Sequence, residues 1–172
     1  IVLVMLLIIY LLGPKPTPPV YNKDPPNVST LDSLEAYVAK EESLHRIKPG
    51  NAATIVWAGD SGRHQTEYAI VYLHGFSASQ AEGDPVHRNI ARRFGCNLYL
   101  SRLAEHGIDT TEQLVNLTAD KYWESAKRAL VIGSRLGKKV ILMGTSTGGT
   151  QALQLAATYP SLVSGIILYS PN

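Results

Sequence analysis

From Tyr68 onward, short and nearly unbroken apolar runs alternate with longer segments in which apolar residues recur every three or four positions. Residues 69–73, 97–100, 140–143 and 163–169 are the near-continuous apolar runs, a pattern expected of strands buried on both faces. Helical spacing falls between them, around 88–94, from about 119 to 136, and over 147–159. Such alternation predicts an α/β fold, a mostly parallel sheet with helices on both faces. In the longest helix Trp123, Ala126, Leu130 and Gly133 share one face while Lys121, Glu124, Lys127 and Arg128 lie mainly elsewhere. Trp123 is therefore read as packing.

The first third is organised differently. Residues 1–12 are apolar throughout, followed by a stretch to residue 29 that carries Gly13, Pro14, Pro16, Pro18, Pro19, Pro25 and Pro26 and reads as an extended spacer. Ser29 and Thr30 offer caps for a helix built on Leu31, Leu34, Val38 and Leu44 and ending before Pro49. A strand is expected over 54–58 and a turn over 60–65, with Gly62 inside it, so that the two β-rich runs would form a hairpin. The expected division is an apolar segment 1–12, a linker 13–29 and a domain 30–172.

Twelve apolar residues fall short of the roughly 20 that cross a bilayer. A signal-peptide core, a signal anchor and a buried core strand all fit the run itself, and the Pro-rich flank suits a tether. The expectation is membrane association through residues 1–12, anchored or exported, with the domain outside the cytoplasm. The chain begins at Ile1 and stops at Asn172 directly after a strand-like run, and is expected to be the amino-terminal part of a longer one.

Composition narrows the function classes. Hydrophobic residues at 45% and charged residues at 17% describe a chain with a real core. Sixteen basic and 14 acidic residues leave a net charge of +2 without long runs of either sign, which predicts no nucleic-acid surface. Cys96, the single cysteine, excludes an intramolecular disulfide framework and reads as a buried small hydrophobe more readily than as a nucleophile. No C-x-x-C pair, metal-ligand cluster or dinucleotide fingerprint appears, so no cofactor and no metal are expected.

Gly144-Thr145-Ser146-Thr147-Gly148 has the form G-x-S-x-G. A bare match arises by chance in roughly one chain in twenty of this length, so context decides its value. The 140–143 run ends at Gly144 and a helix-forming run opens just after Gly149, giving the strand, tight turn and helix that a nucleophile elbow requires. Gly144 and Gly148 are expected where the sharp turn leaves no room for side chains, and Gly149 where the helix packs close to the sheet. Ser146 is the expected nucleophile. The amide of Thr147, at the helix start, would face a developing oxyanion.

An apolar strand also runs into His74-Gly75-Phe76-Ser77. With the elbow, this turn resembles the HG-x motif of the α/β-hydrolase family, in particular its carboxylesterase and monoacylglycerol-lipase-like branch. Arg102-Leu103-Ala104-Glu105-His106-Gly107 is similar to the L-x-G-H-G segment of the same hydrolases, with Glu105 departing from it. The resemblance covers about residues 54–172 and implies that fold, ending here after about its sixth strand. It also implies a second oxyanion amide at Phe76, and loop-holding roles for His74 and His106.

In that family the acid and the base follow the serine, whereas Asp84, Asp109 and Asp120 precede Ser146, and neither Asp nor His comes after it. The triad partners are thus expected beyond residue 172, and the chain as written close to inactive. The implied activity is carboxylic ester hydrolysis through a Ser146 acyl-enzyme, on a small-molecule or lipid ester such as a monoacylglycerol. Peptide hydrolysis, acyl transfer on the same fold, and a catalytically silent membrane-tethered binding module are the alternatives.

Overall fold

Among the described residues the sheet gives the runs at 69–73, 97–100 and 140–143 a neighbour on both edges and the run at 163–169 a neighbour on one. The computed structural model describes residues 2–13, 15, 18–59 and 62–172. Within them β1 (Thr54–Val56), β2 (Thr66–Leu73), β3 (Asn97–Leu100), β4 (Gly137–Thr145) and β5 (Val163–Tyr169) form one sheet in the order β1-β3-β2-β4-β5. The last four are mutually parallel, and β1 runs antiparallel along β3.

The expected hairpin does not form. β1 pairs with β3, with Thr54 opposite Leu100, because both edges of β2 are taken by its parallel neighbours β3 and β4. The three residues of β1 are left to cover the outer edge of β3. Of the turn expected over 60–65, Asp60 and Ser61 lie outside the described residues, as do Ile1, Pro14, Pro16 and Thr17 of the apolar and Pro-rich segments.

Side-chain alternation along β2 separates two cores. Ala69, Val71 and Leu73 face α4 (Ala119–Leu136) and α5 (Thr147–Thr158), packing with Trp123, Ala126, Leu130, Ala152 and Leu155. Ile70 and Tyr72 face the other way, toward α3 (Val86–Phe94) and the smaller cluster of Ala91, Cys96, Leu98, Leu100 and Met143. Gly133 lets α4 lie close to the sheet, since a Cβ there would meet Val71 at 2.3 Å.

Upstream, α2 (Leu34–Ser43) follows a 3-10 turn at Leu31–Ser33 and buries Leu34 and Val38 against the α4 side. Glu42 fastens it, accepting from the Ala53 N–H at 2.9 Å and from Arg102 Nε at 2.8 Å.

Lys127 departs from expectation. It is 1% exposed, its ammonium donating to the carbonyls of Asn22 at 2.9 Å and Asp24 at 2.8 Å and pairing with Glu124. Trp123 Nε1 also donates to Asn22 O, and the Tyr159 hydroxyl to Lys23 O. The end of the Pro-rich stretch is thereby strapped across α4 and α5. In contrast, α1 (Val2–Leu12) buries none of its residues, so the apolar segment is an exposed helix and not a core strand. Among the described residues no helix is long and apolar enough to cross a membrane.

Candidate active site

Parallel strands bring their carboxyl ends to one edge, where ligands of open α/β sheets gather. The register sets Leu73 beside Gly144 and Thr145 beside Tyr169. Three loops therefore meet there: His74–Ser77 after β2, the Ser146 turn after β4, and the last residues after β5.

Ser146 has φ 50° and ψ −122°, a sparsely populated backbone that persists only when its surroundings over-determine it. They do so here. The Ser146 N–H donates to Tyr169 O at 2.9 Å and its carbonyl accepts from the Thr150 N–H at 3.0 Å. A Cβ on Gly144 would lie 2.6 Å from Gly148 O, and one on Gly148 would lie 2.1 Å from Leu73 O and 2.5 Å from His74 O. Both elbow glycines are sterically required. Gly149 is less confined, its nearest neighbour being Pro171 Cβ at 3.2 Å from a Cβ placed there.

The turn after β2 reaches the elbow. A Cβ on Gly75 would stand 3.5 Å from Ser146 Cβ, and the next residue, Phe76, has an N–H with no protein acceptor among the described residues. Thr147 opens α5, so its N–H has no intrahelical acceptor. Two unpartnered amides thus flank a partly exposed serine hydroxyl, an arrangement able to receive an anion.

No family model and no curated protein matches the chain. Solved structures do. One from the metagenome-derived lipolytic enzymes LipS and LipT aligns over 72% of this chain and 46% of its own, at 20% identity and a TM-score of 0.61. Est1E from Butyrivibrio proteoclasticus, with ferulic acid bound, aligns over 69% and 48%, at 17% identity and 0.55. The Paleococcus ferrophilus monoacylglycerol lipase aligns over 70% and 42%, at 16% identity and 0.53. The chain has the α/β-hydrolase fold. It spans less than half the length of each of these structures.

Within this hydrolase fold, His74 and His106 lie beside the site without reaching the serine. His74 Nε2 accepts from the Leu103 N–H at 3.0 Å, so the proton sits on Nδ1, which donates to Gly75 O at 2.9 Å. Burial holds its pKa down to about 4, and the ring is neutral at pH 7. His106 donates from Nδ1 to Ala104 O at 2.7 Å and stacks on Tyr122, while its buried Nε2 has no partner among the described residues. Burial lowers its pKa too. His74 ties the loop after β3 to the loop after β2 by its hydrogen bonds, and the His106 ring packs edge-on against His74 and Phe76.

Ser146 Oγ has one partner among the described residues, the Asn172 side-chain oxygen at 3.3 Å. An amide oxygen accepts a hydrogen bond but is far too weak a base to remove the serine proton. The other candidate carboxylates lie elsewhere, and the buried Asp120 Oδ1 has no hydrogen-bond partner among the described residues. Asp84 pairs with Arg88, Asp109 with Arg46, and Asp120 lies in the first turn of α4. Burial raises the pKa of the Cys96 thiol, which makes it a poor nucleophile.

Sequence reasoning missed the polar groups behind the elbow. Glu82 Oε2 accepts from the Gly75 N–H at 2.9 Å and from the Tyr72 hydroxyl at 3.1 Å, and Thr145 Oγ1 lies 2.9 Å from that hydroxyl. On the other flank the Tyr122 hydroxyl is 2.9 Å from Thr147 Oγ1. One signal was available. A tyrosine inside a buried apolar strand needs a polar partner for its hydroxyl, and Tyr72 is fully buried in β2.

Proposed function

We propose that this chain carries the nucleophile of a serine hydrolase that cleaves carboxylic esters through an acyl-enzyme on Ser146. The observation behind this reading is the strained Ser146 backbone, which over-crowded glycines hold between the free amides of Phe76 and Thr147. Lipolytic and esterase neighbours on the same fold support it.

In the proposed reaction Ser146 Oγ bonds to the ester carbonyl carbon as a base takes its proton. The two amides hold the negative oxygen, each contributing a few kcal/mol to the transition state. Collapse expels the alcohol, which takes up the proton, and water then releases the acid. The base and its orienting acid are assigned to sequence following Asn172. A hydrophobic acyl chain, as in a monoacylglycerol, is the favoured substrate class.

Turnover of p-nitrophenyl esters of graded chain length by the full-length chain tests this. Hydrolysis that Ser146→Ala removes is expected. No turnover across the series would favour a catalytically silent binding module, which the lone Asn172 contact of Ser146 suits.

A second part of the proposal concerns α1, whose side chains are all free to meet a lipid surface. Cosedimentation of the chain with phosphatidylcholine vesicles should depend on residues 1–12. Binding that survives their removal would contradict this.

A further inference from the structure

The two peptides flanking Gly75 are each held by a side chain, and only one of those side chains is a loop histidine. Gly75 O, on the peptide that carries the Phe76 N–H, accepts from His74 Nδ1 at 2.9 Å and from the Ala78 N–H at 3.3 Å. In a trans peptide the N–H points opposite to the carbonyl, so holding Gly75 O sets the direction of the Phe76 amide. The preceding peptide presents the Gly75 N–H, and its acceptor is Glu82 Oε2 at 2.9 Å. Glycine has the freest backbone of any residue. Without Glu82, one side of this hinge is loose.

Glu82 is itself pre-set. It belongs to the 3-10 turn Gln80–Gly83, whose first residues are capped by Ser79 Oγ accepting from the Ala81 N–H. Gln80 Nε2 donates to Gly50 O at 2.8 Å, and Gln80 O meets His87 Nε2 at 2.9 Å. Gly83 brings the turn flat onto Tyr72, since a Cβ there would meet the ring at 2.7 Å. Burial keeps the Tyr72 phenol protonated, and its single proton goes to Glu82 Oε2 at 3.1 Å. Thr145 Oγ1 must then be the donor to the phenol oxygen at 2.9 Å. Donors run from Thr145 to Tyr72 to Glu82, and the Gly75 N–H donates to the same carboxylate oxygen, so that Glu82 joins the residue before Ser146 to the residue before Phe76.

We propose that Glu82 is a positioning residue for the oxyanion-binding amides. Its carboxylate oxygen fixes the Gly75 peptide and, through Tyr72 and Thr145, locks the turn after β2 to the serine elbow. This rests on the hydrolase reading above and adds to it a residue that acts through the Gly75 peptide and makes no hydrogen bond to Ser146 among the described residues. What the reaction requires of Glu82 is a hydrogen-bond acceptor, not a negative charge.

Steady-state hydrolysis of a p-nitrophenyl ester and the rate of fluorophosphonate labelling, both on the full-length chain, test it. Glu82→Ala is expected to lower kcat about tenfold or more, with KM within about twofold, because the lost interaction matters only in the transition state. Labelling should slow by the same factor. Glu82→Gln, whose amide oxygen accepts from the same two donors, should recover most of that loss, and Tyr72→Phe should show a smaller fall in kcat. Wild-type kcat in Glu82→Ala, or Glu82→Gln as impaired as Glu82→Ala, would overturn the proposal while the Ser146 reading stands. Wild-type protein without any Ser146-dependent turnover would instead overturn the hydrolase reading, and this inference with it.

Discussion

Gly148 is pressed against Leu73: a Cβ on the glycine would lie 2.1 Å from the leucine carbonyl oxygen. That carbonyl ends β2 and the glycine is the second residue of α5, so neither can retreat without tearing the sheet edge from the helix. Gly148→Ala should therefore cost about 3 kcal/mol or more. Gly149→Ala, whose Cβ would meet Pro171 Cβ at 3.2 Å and Gly144 O and Pro171 Cα at 3.4 Å, should cost about 1 kcal/mol. Urea midpoints of the two variants check this. Equal stabilities would contradict the crowding described at the elbow.

The buried neutral state of His74 makes stability depend on pH. Its folded pKa, about 4, lies below the 6.5 of an unfolded histidine, so the unfolded chain binds the proton first. The native advantage is present above about pH 6.5 and is lost as pH falls toward 4, on the order of 3 kcal/mol in all. His106, also depressed by burial, acts in the same direction. Thermal melts between pH 7 and 4.5 should show a shallower decline for His74→Gln than for wild type. Parallel declines would show that His74 does not carry this dependence.

Lys127 should hold the strap. Lys127→Met removes the donor to Asn22 O and Asp24 O and leaves two carbonyls without that partner, at about 1–3 kcal/mol. Limited proteolysis is expected to cut within residues 20–26 faster in the variant than in wild type. Unchanged cleavage would mean that Trp123 and Tyr159 hold the segment alone.

Those three sites differ in how far the sequence disclosed them. The strands Asn97–Leu100 and Val163–Tyr169 and the helix Ala119–Leu136 were legible to the residue, because continuous apolar runs and a long amphipathic stretch leave few alternatives. The elbow was legible because its glycines are a local steric demand. Strand order was not: whether β1 joins β2 or β3 depends on competition for the edges of β2, which adjacency along the chain does not encode. Lys127 was hidden for a related reason. Its partners are backbone carbonyls of residues 22 and 24, more distant in sequence than any helical pattern can register. Glu82 likewise gains meaning only when the turn after β2 folds back over Tyr72.

The proposed hydrolase depends on Ser146 as its nucleophile, and covalent labelling reads that out directly. Full-length protein treated with a fluorophosphonate probe, digested and mapped by mass spectrometry, should carry the adduct on the peptide containing Ser146, and Ser146→Ala should carry none. Wild-type protein that stays unlabelled, or an adduct that persists in Ser146→Ala, would contradict the account.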